Sequence, residues 1–289
     1  MATSDKLKGL IQYPLPHHGI SRLLHWATRR EAPRGLVQMG IQRFIDAYGV
    51  AMSEAANPNP HAYTSFNRFF TRELAAGVRP LDTQPRSIVS PVDGAVSQAG
   101  RITEGRIFQA KGHDFTAAEL LGGETERAAP FLNGQFTTLY LAPRDYHRIH
   151  MPVTGTLREM VHVPGRLFSV SPATVRSVPR LFARNERIAC LFDTDHGPMA
   201  VVLVGALNVG SMETVWAGEV TPPTRRRVTD WQYSAGGVVL EKGAELGRFN
   251  MGSTVILLFP ENTMDWDTTL TAESRVQMGT RIGAFKEAP

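Results

Sequence analysis

The sequence predicts an α+β protein in which N-terminal amphipathic helices precede a β-rich domain that resembles a barrel-sandwich. In residues 1–50, apolar side chains recur with the period of a helix that has one apolar face. From Ile88 onward, short apolar runs alternate with Gly and Pro turns, a pattern typical of consecutive β-strands. We therefore divide the chain into a helical segment, residues 1–50, and a β-rich domain, residues 51–289.

Two apolar stripes predict the two helices of the first segment. The first stripe comprises Ile20, Leu23, Leu24 and Ala27. The second follows Pro33 and comprises Val37, Ile41, Phe44, Ile45 and Tyr48. The helices either pack on a core or rest on lipid, where Arg22, Arg29 and Arg30 would contact anionic head groups. The sequence alone leaves both possibilities open.

The β-rich domain contains a weak internal repeat. Residues 91–96 resemble residues 152–157, and each stretch is predicted to form a strand, a Gly turn and a return strand. Biotinyl and lipoyl domains build a flattened barrel from this unit, which favours a barrel-sandwich formed by duplication. One helical patch is predicted around residues 172–182.

Composition limits the classes of partner. The net charge of +4 is modest, and the basic residues form no long run, so we predict no nucleic acid partner; an anionic lipid surface fits this charge.

Cys190 is the only cysteine, which excludes an intramolecular disulfide and fits a reducing compartment, and its apolar neighbours predict a core position. The best apolar run, residues 199–209, is too short to span a bilayer, and residues 1–10 lack the apolar core of a signal peptide. Any contact with a membrane is therefore predicted to be peripheral.

A Gly252-Ser253-Thr254 corner precedes the apolar run 255–259. Taken alone, this corner is a turn before a strand. Glycine lacks a Cβ, so Gly252 would also leave its carbonyl carbon open to attack by the Ser253 hydroxyl. The corner is therefore a candidate for chemistry as well as a turn.

Two further motifs carry groups that suit proton transfer. His147 and His150 lie three residues apart, and histidine is the side chain best placed to move protons near neutral pH. The pair lacks an evident third ligand for zinc, so no metal is predicted. Asp93 lies in an Asp-Gly turn, and it either shapes that turn or orients a histidine.

Together these motifs resemble the bacterial phosphatidylserine decarboxylases, a pyruvoyl-dependent proenzyme family. The resemblance runs from about Leu15 to Phe285. Its most specific segments, in chain order, are Ser90-Pro91-Val92-Asp93-Gly94, residues 141–152, Leu167-Phe168-Ser169-Val170, residues 182–187, residues 213–218, and Gly247-Arg248-Phe249 leading into Gly252-Ser253-Thr254. Six long motifs in the order of one family are difficult to obtain by chance.

The chain departs from the family pattern at two places. Met251 stands where the family usually has Leu before the Gly-Ser pair, a change that conserves volume and apolarity. Ser171 follows the Leu-Phe-Ser-Val motif where the family commonly has Asn. The second departure puts an amide contact with the substrate in doubt, but it leaves Ser169 as a predicted substrate contact.

The resemblance implies self-cleavage between Gly252 and Ser253. His150, oriented by Asp93, would act as base while the Ser253 oxygen attacks the Gly252 carbonyl. Elimination from the resulting ester and hydrolysis would release ammonia and leave a covalent pyruvoyl cofactor derived from Ser253. The products would be a β chain, residues 1–252, and an α chain, residues 253–289.

The resemblance also implies the reaction of the mature enzyme. The pyruvoyl group would serve as an electron sink while phosphatidylserine loses carbon dioxide, and His147 would protonate the product carbon, giving phosphatidylethanolamine. The division of roles between His147 and His150 stays open. Further expectations from the family are a homodimer and a peripheral location on the cytoplasmic side of the bacterial cell membrane.

Two other functions fit parts of the sequence. Asp93, His150 and Ser253 occur in the chain order of a subtilisin-type serine hydrolase, although Ser253 lacks the Gly-x-Ser-x-Gly elbow. A carrier module of the biotinyl type would need an exposed lysine at a hairpin tip, and neither Gly turn offers one.

Overall fold

The computed structural model of the chain describes residues 9–207, 211–222, 227–234, 236–251 and 254–287. The α-helices within these ranges are α1 His17–Thr28, α2 Arg34–Tyr48, α3 Phe66–Phe70, α4 Ala117–Leu120, α5 Thr125–Ala128, α6 Pro172–Ser177 and α7 Leu181–Arg184. Short 3-10 helices span Met52–Glu54, Pro60–Ala62 and Ala129–Phe131.

Most of the described chain forms β-strands. The first nine are β1 Ser87–Val89, β2 Gly94–Arg101, β3 Arg106–Ala110, β4 His113–Thr116, β5 Gln135–Tyr140, β6 Arg148–His150, β7 Gly155–Val163, β8 Arg187–Thr194 and β9 Gly197–Val204. The others are β10 Met212–Thr214, β11 Gly218–Glu219, β12 Thr229–Gln232, β13 Val239–Leu240, β14 Glu245–Phe249, β15 Thr254–Phe259, β16 Met264–Trp266, β17 Arg275–Val276 and β18 Arg281–Phe285.

An antiparallel nine-stranded sheet forms the centre of the molecule. Its main order is β12-β7-β8-β9-β15-β5-β2-β17, and β13 also pairs with β7. The central strand β15 pairs with β9 on one side and with β5 on the other, so Thr254 lies opposite both Val204 and Tyr140. All six residues of β15 are buried, as expected of an apolar strand covered on both faces.

A second sheet, in the order β11-β10-β14-β6, holds the strands that flank the predicted site. The remaining strands form a three-stranded sheet, β1-β18-β16, and the hairpin β3-β4. The α+β class and the predominance of strands are therefore confirmed. The sheets are open, and the barrel-sandwich arrangement predicted from the repeat is not confirmed.

The two N-terminal helices use their apolar stripes differently. On α2, Ile41 is fully buried and joins a cluster with Phe69 and Phe70. On α1, by contrast, Leu23 and Trp26 are 64% and 55% exposed. The residues that α1 buries are His17 and Ser21. Packing on a core therefore describes α2, whereas the apolar stripe of α1 does not face the protein core.

The arginines of α1 also differ from one another. Arg29 Nη1 donates to Glu219 at 2.7 Å, and its Nη2 lies 3.4 Å from Glu213. Two carboxylates of the same chain therefore bind Arg29, and its contact with lipid head groups stays a prediction. Arg30 instead lies over the Trp26 ring, 4.2 Å from its centroid.

The buried side chains of β15 should contribute strongly to the stability of the fold, and a single substitution tests this. Replacing Leu257 with Ala removes an apolar side chain that is 0% exposed, so we expect the free energy of unfolding to fall by about 2–5 kcal/mol. The matched change Leu23→Ala removes the same atoms from an exposed position and should cost less than about 0.5 kcal/mol in lipid-free buffer. Urea denaturation of both variants measures the difference. Equal losses would contradict the burial assigned to β15.

Candidate active site

Backbone hydrogen bonds bring two of the predicted motifs together. Val89 N donates to Pro152 O at 3.1 Å, and His150 N donates to Pro91 O at 2.8 Å. These are the chain segments that carry Asp93 and the histidine pair. The two copies of the weak repeat therefore lie side by side, and each leads into a strand of the main sheet.

His147 is buried just before β6 and is 0% exposed. Its Nδ1 lies 2.7 Å from the carbonyl oxygen of Asp145. A carbonyl oxygen only accepts hydrogen bonds, so Nδ1 carries the ring proton and Nε2 holds a lone pair. Nε2 is buried and has no hydrogen-bond partner among the described residues. The ring packs against Phe70, with centroids 4.1 Å apart.

Burial lowers the pKa of His147 to about 3, and the nearby charge of Arg72 acts in the same direction, while the hydrogen bond to Asp145 opposes them. Arg72 is itself buried, and its guanidinium lies over the Phe69 ring. His147 is therefore neutral near pH 7. Its Nε2 can accept a proton from a group that enters the site.

His150 makes hydrogen bonds through both ring nitrogens. Its Nδ1 lies 2.8 Å from Gly243 O, and its Nε2 lies 3.0 Å from the Tyr146 hydroxyl. Burial raises the pKa of Tyr146, so the phenol keeps its proton and donates it to Nε2. Burial also lowers the pKa of His150. Both histidines of the motif are thus held in the neutral form, each with a proton on Nδ1.

Asp93 lies beside His150 but binds other groups. Arg79 donates to its carboxylate from Nε at 3.0 Å and from Nη2 at 2.6 Å, and Met278 N donates at 2.8 Å. Arg79 also binds Glu54 at 2.7 Å. In the part of the chain that is described, no hydrogen bond joins Asp93 to His150. The negative charge of Asp93 nevertheless acts to raise the pKa of His150 against the larger effect of burial.

The predicted cleavage dipeptide, Gly252 and Ser253, lies outside the described residues. The chain on either side of it is described. Phe249 N donates to His147 O at 3.0 Å, which fixes the end of β14 beside the histidine. Thr254 begins the buried central strand β15. The structure therefore holds both flanks of the dipeptide in backbone ladders.

A cavity of about 190 Å³ lies next to these groups. Ser169, the predicted substrate contact, is on its wall together with Met251, which directly precedes Gly252, and Phe70, which covers His147. Helix α2 contributes Phe44 and Tyr48. The structure thus brings Ser169 and the residue before the predicted cleavage site to one cavity.

Some contacts in the site were not foreseen from the sequence. The sequence does not single out Arg79, and Tyr146 lies unremarked within the segment 141–152 that contains the histidines. Gln12, which binds Ser169 N through its side-chain oxygen at 2.8 Å, gave no signal at all. Each of these side chains binds a residue that is distant in sequence or is brought near only by a turn. The spacing of residues in the sequence therefore does not reveal the contact.

The described residues contain neither a metal-binding cluster nor a membrane-spanning helix. Among them, no group of three or more His, Cys, Asp or Glu side chains is arranged to hold a metal ion. Within the same ranges, no helix combines the length and apolarity needed to cross a bilayer.

The fold and site define a β-rich enzyme with two neutral histidines, the buried His147 and the half-buried His150, and a cavity whose wall includes Phe70, the ring that packs on His147. Comparison with known proteins identifies the family. The family model for phosphatidylserine decarboxylase matches residues 66–284, and a second model, described as PSD, matches residues 7–49. The chain belongs to the phosphatidylserine decarboxylase family.

Individual relatives cover most of the chain. The phosphatidylserine decarboxylase proenzyme of Alkalilimnicola ehrlichii is 60% identical over 255 residues, covering 88% of each chain. The proenzyme of Bordetella bronchiseptica is 57% identical over 282 residues, covering 96% of this chain and 94% of the relative. That of Marinobacter nauticus is 55% identical over 280 residues, covering 96% and 98%.

The depressed pKa of His147 predicts a pH-dependent stability. Its folded value near 3 lies below the ordinary 6.5, so the unfolded chain binds a proton between these values that the folded chain does not. This contribution to stability is complete above pH 6.5 and is lost as the pH falls towards 3. Near pH 5 the loss is on the order of 2 kcal/mol.

We therefore expect His147→Phe to lose less stability than its parent between about pH 7 and pH 5. Urea denaturation at both pH values measures this, with both chains carrying Ser253→Ala so that any difference in processing is removed. Phenylalanine keeps an aromatic ring against Phe70 but cannot titrate. Equal losses in the two chains would contradict a buried, neutral His147.

Proposed function

We propose that this chain is a phosphatidylserine decarboxylase proenzyme that cuts itself between Gly252 and Ser253 and then converts phosphatidylserine to phosphatidylethanolamine. The observation that carries the proposal is the buried Nε2 of His147, which has no hydrogen-bond partner among the described residues; its ring packs against Phe70, which lines the same cavity as Ser169 and Met251. Family membership gives the reaction, and this geometry supports the residues that perform it.

A pyruvoyl group derived from Ser253 fits these surroundings. The cavity wall is largely apolar, which limits water, and the chain preceding Gly252 reaches it through Met251. His147 offers a buried acceptor nitrogen without a partner among the described side chains. When present, the pyruvoyl group supplies an electron sink for the charge left by loss of carbon dioxide.

For self-cleavage we propose His150 as the base. Its Nε2 lone pair accepts from Tyr146, so it takes a proton from the Ser253 hydroxyl when the tyrosine releases that bond. The Ser253 oxygen then bonds to the Gly252 carbonyl carbon, and the bond from that carbon to nitrogen breaks as His150 passes its proton to the nitrogen. Loss of the Ser253 α-proton expels the Gly252 carboxylate and gives dehydroalanine, whose hydrolysis by water releases ammonia, leaving the α chain, residues 253–289, and the β chain, residues 1–252.

Asp93 supports this step through its charge and its loop. Its carboxylate is bound by Arg79 and by Met278 N, which fixes the turn whose Pro91 carbonyl accepts from His150 N. Asp93 therefore positions His150 through the backbone. A direct carboxylate–imidazole bond would require Arg79 to release the carboxylate.

For turnover we propose that His147 moves a proton at Nε2. The neutral ring takes a proton from the ammonium group of bound phosphatidylserine and returns it to the carbon that has lost carbon dioxide. Burial disfavours the protonated ring, so it opposes the first transfer and favours the second, in which the ring passes its proton on. Ser169, which lies on the cavity wall, contacts the head group.

The acyl chains of the substrate remain outside the cavity, which has room only for a head group. Of the sixteen exposed large apolar side chains in the described residues, nine lie between residues 10 and 48. Because α2 also supplies Phe44 and Tyr48 to the cavity, this apolar surface adjoins its entrance. We propose that α1 and α2 rest peripherally on an anionic membrane surface.

Three finer predictions remain part of this proposal. They are a homodimer, a location on the cytoplasmic side of the bacterial cell membrane, and a barrel-sandwich relation between the halves of the β-rich domain. The paired segments that lead into β2 and β7 support the last of these.

A serine hydrolase is not favoured. Its triad would need Asp93 bonded to one nitrogen of His150 and the serine to the other. Gly243 O occupies Nδ1 of His150, and Asp93 is bound by Arg79 instead.

The proposal predicts two fragments in the active protein. Intact mass measurement should give a chain of residues 1–252 and a chain of residues 253–289 whose N-terminus is blocked to Edman degradation. Ser253→Ala should give only the uncut chain and no carbon dioxide from phosphatidylserine. Decarboxylation by an uncut wild-type chain would overturn the proposal.

The membrane proposal predicts weaker lipid binding when the exposed stripe of α1 is made polar. Leu23→Ser together with Trp26→Ser should reduce binding to anionic phospholipid vesicles by at least about tenfold, because burial of both side chains contributes several kcal/mol. Cosedimentation measures the binding. The control is Val228→Ser with Val239→Ser, which removes exposed apolar groups elsewhere. Equal binding by both double variants would contradict a lipid contact through α1.

A further inference from the structure

The residue two positions before Gly252 is held by an unusually complete set of hydrogen bonds. Asn250 is 3% exposed. Its Nδ2 donates to Ser211 Oγ at 2.6 Å and to Glu213 Oε1 at 2.7 Å, and its backbone N donates to Ser211 O at 2.9 Å. From the other side, Asn67 Nδ2 donates to both the carbonyl and the Oδ1 of Asn250, at 3.2 and 3.0 Å. We call Asn67, Ser211, Glu213 and Asn250 the Asn250 clamp.

Glu213 provides the charge of the clamp. Burial acts to raise its pKa, but the hydrogen bonds from Asn250 and Arg248 and the charges of Arg248 and Arg29 lower the pKa overall. The carboxylate is therefore ionised, and charge-assisted hydrogen bonds of this kind are about twice as strong as neutral ones. Through Arg29, the clamp is joined to α1.

The fold requires no such clamp for β14 itself. That strand already pairs with β10 as far as Phe249 and with β6 as far as Arg248. Strand β15 begins at Thr254 with its own ladder of hydrogen bonds. The clamp acts on the short stretch between the strands. Fixing Asn250 leaves Met251, Gly252 and Ser253 as the only residues between two anchored points.

We propose that the Asn250 clamp is a positioning element for self-cleavage: it sets the direction in which the chain enters Gly252-Ser253. This inference rests on the proposed cleavage at that bond. The attack of a serine oxygen on the preceding carbonyl carbon needs a specific, strained approach, and holding reacting atoms near that geometry contributes greatly to the rate. Asn250 touches no reacting atom in this scheme and acts through the backbone that follows it.

The donor–acceptor pattern of the clamp allows a charge-swap test. In Asn250→Asp, a carboxylate would replace the amide that donates to Glu213, placing two carboxylates about 2.7 Å apart. We expect the half-time of precursor cleavage to lengthen at least about tenfold near pH 8. Cleavage should recover towards pH 5, since a proton shared between the carboxylates restores the hydrogen bond.

The double variant Asn250→Asp, Glu213→Gln restores the pair with its roles exchanged. The amide introduced at position 213 donates, the carboxylate introduced at position 250 accepts, and the total charge is unchanged. We expect this variant to cleave within about threefold of the wild-type rate and without the added pH dependence. Cell-free synthesis followed by gel electrophoresis measures the conversion of precursor to fragments over time.

Gln109→Ala is the matched control. Gln109 is a buried amide, 1% exposed, that bonds backbone groups around α6 and α7, and its loss should lower stability while leaving the cleavage rate unchanged. The thermal midpoint of each variant, measured in the Ser253→Ala chain, reports folding separately from cleavage.

Two outcomes would overturn the inference: wild-type cleavage rates in Asn250→Asp and Asn250→Ala, or a double variant no faster than Asn250→Asp. Failure of the underlying proposal is a different result. In that case the wild-type chain itself would show no fragments ending at residue 252 by mass spectrometry.

Discussion

The antiparallel pairing of β6 with β14 is the constraint on which the site depends. Arg148 lies opposite Arg248, and one residue further Phe249 N donates to the carbonyl of His147. The segment that carries the histidines and the strand that leads to Gly252 are therefore joined by backbone hydrogen bonds. On the far side of the dipeptide, β15 lies between β9 and β5 at the middle of the main sheet. After a cut at this place, the α chain would stay bound because its first strand is the centre of that sheet.

Burial determines the protonation state of the groups held in this frame. Both histidines lose solvent, which favours their neutral forms, and backbone carbonyls bind their Nδ1 protons. The Nε2 of His147 is buried without a partner in the described part of the chain, and leaving it so costs about 1–3 kcal/mol. A cost of this kind is typical of a functional site, where a group is held ready for a ligand. His150 does not carry this cost, because the Tyr146 hydroxyl donates to its Nε2.

The N-terminal helices belong to the site as well as to the surface. Helix α2 packs Ile41 on Phe69 and Phe70, so that Phe70 in turn covers His147. Helix α1 is attached differently: Arg29 and His25 bind Glu219, and the buried His17 accepts from Leu167 N and packs against Phe168. The two helices are therefore held to the β-rich domain by different kinds of contact, and α1 also carries the exposed side chains of Leu23 and Trp26.

The sequence by itself determined the strand-rich architecture, the helical N-terminal segment and the burial of Cys190, because alternation and apolar runs are local properties. It also singled out His147, His150, Ser169 and the Gly252-Ser253 pair. Tertiary structure alone decided which groups bind one another. Asp93 binds Arg79, His150 binds Gly243, and Asn250 binds Glu213. These pairs join different strands and turns, and their contacts follow from sheet register and turn geometry, which residue spacing does not encode. For the same reason, the sequence left the direction of the α1 stripe open, and only the packed structure showed that it faces away from the core.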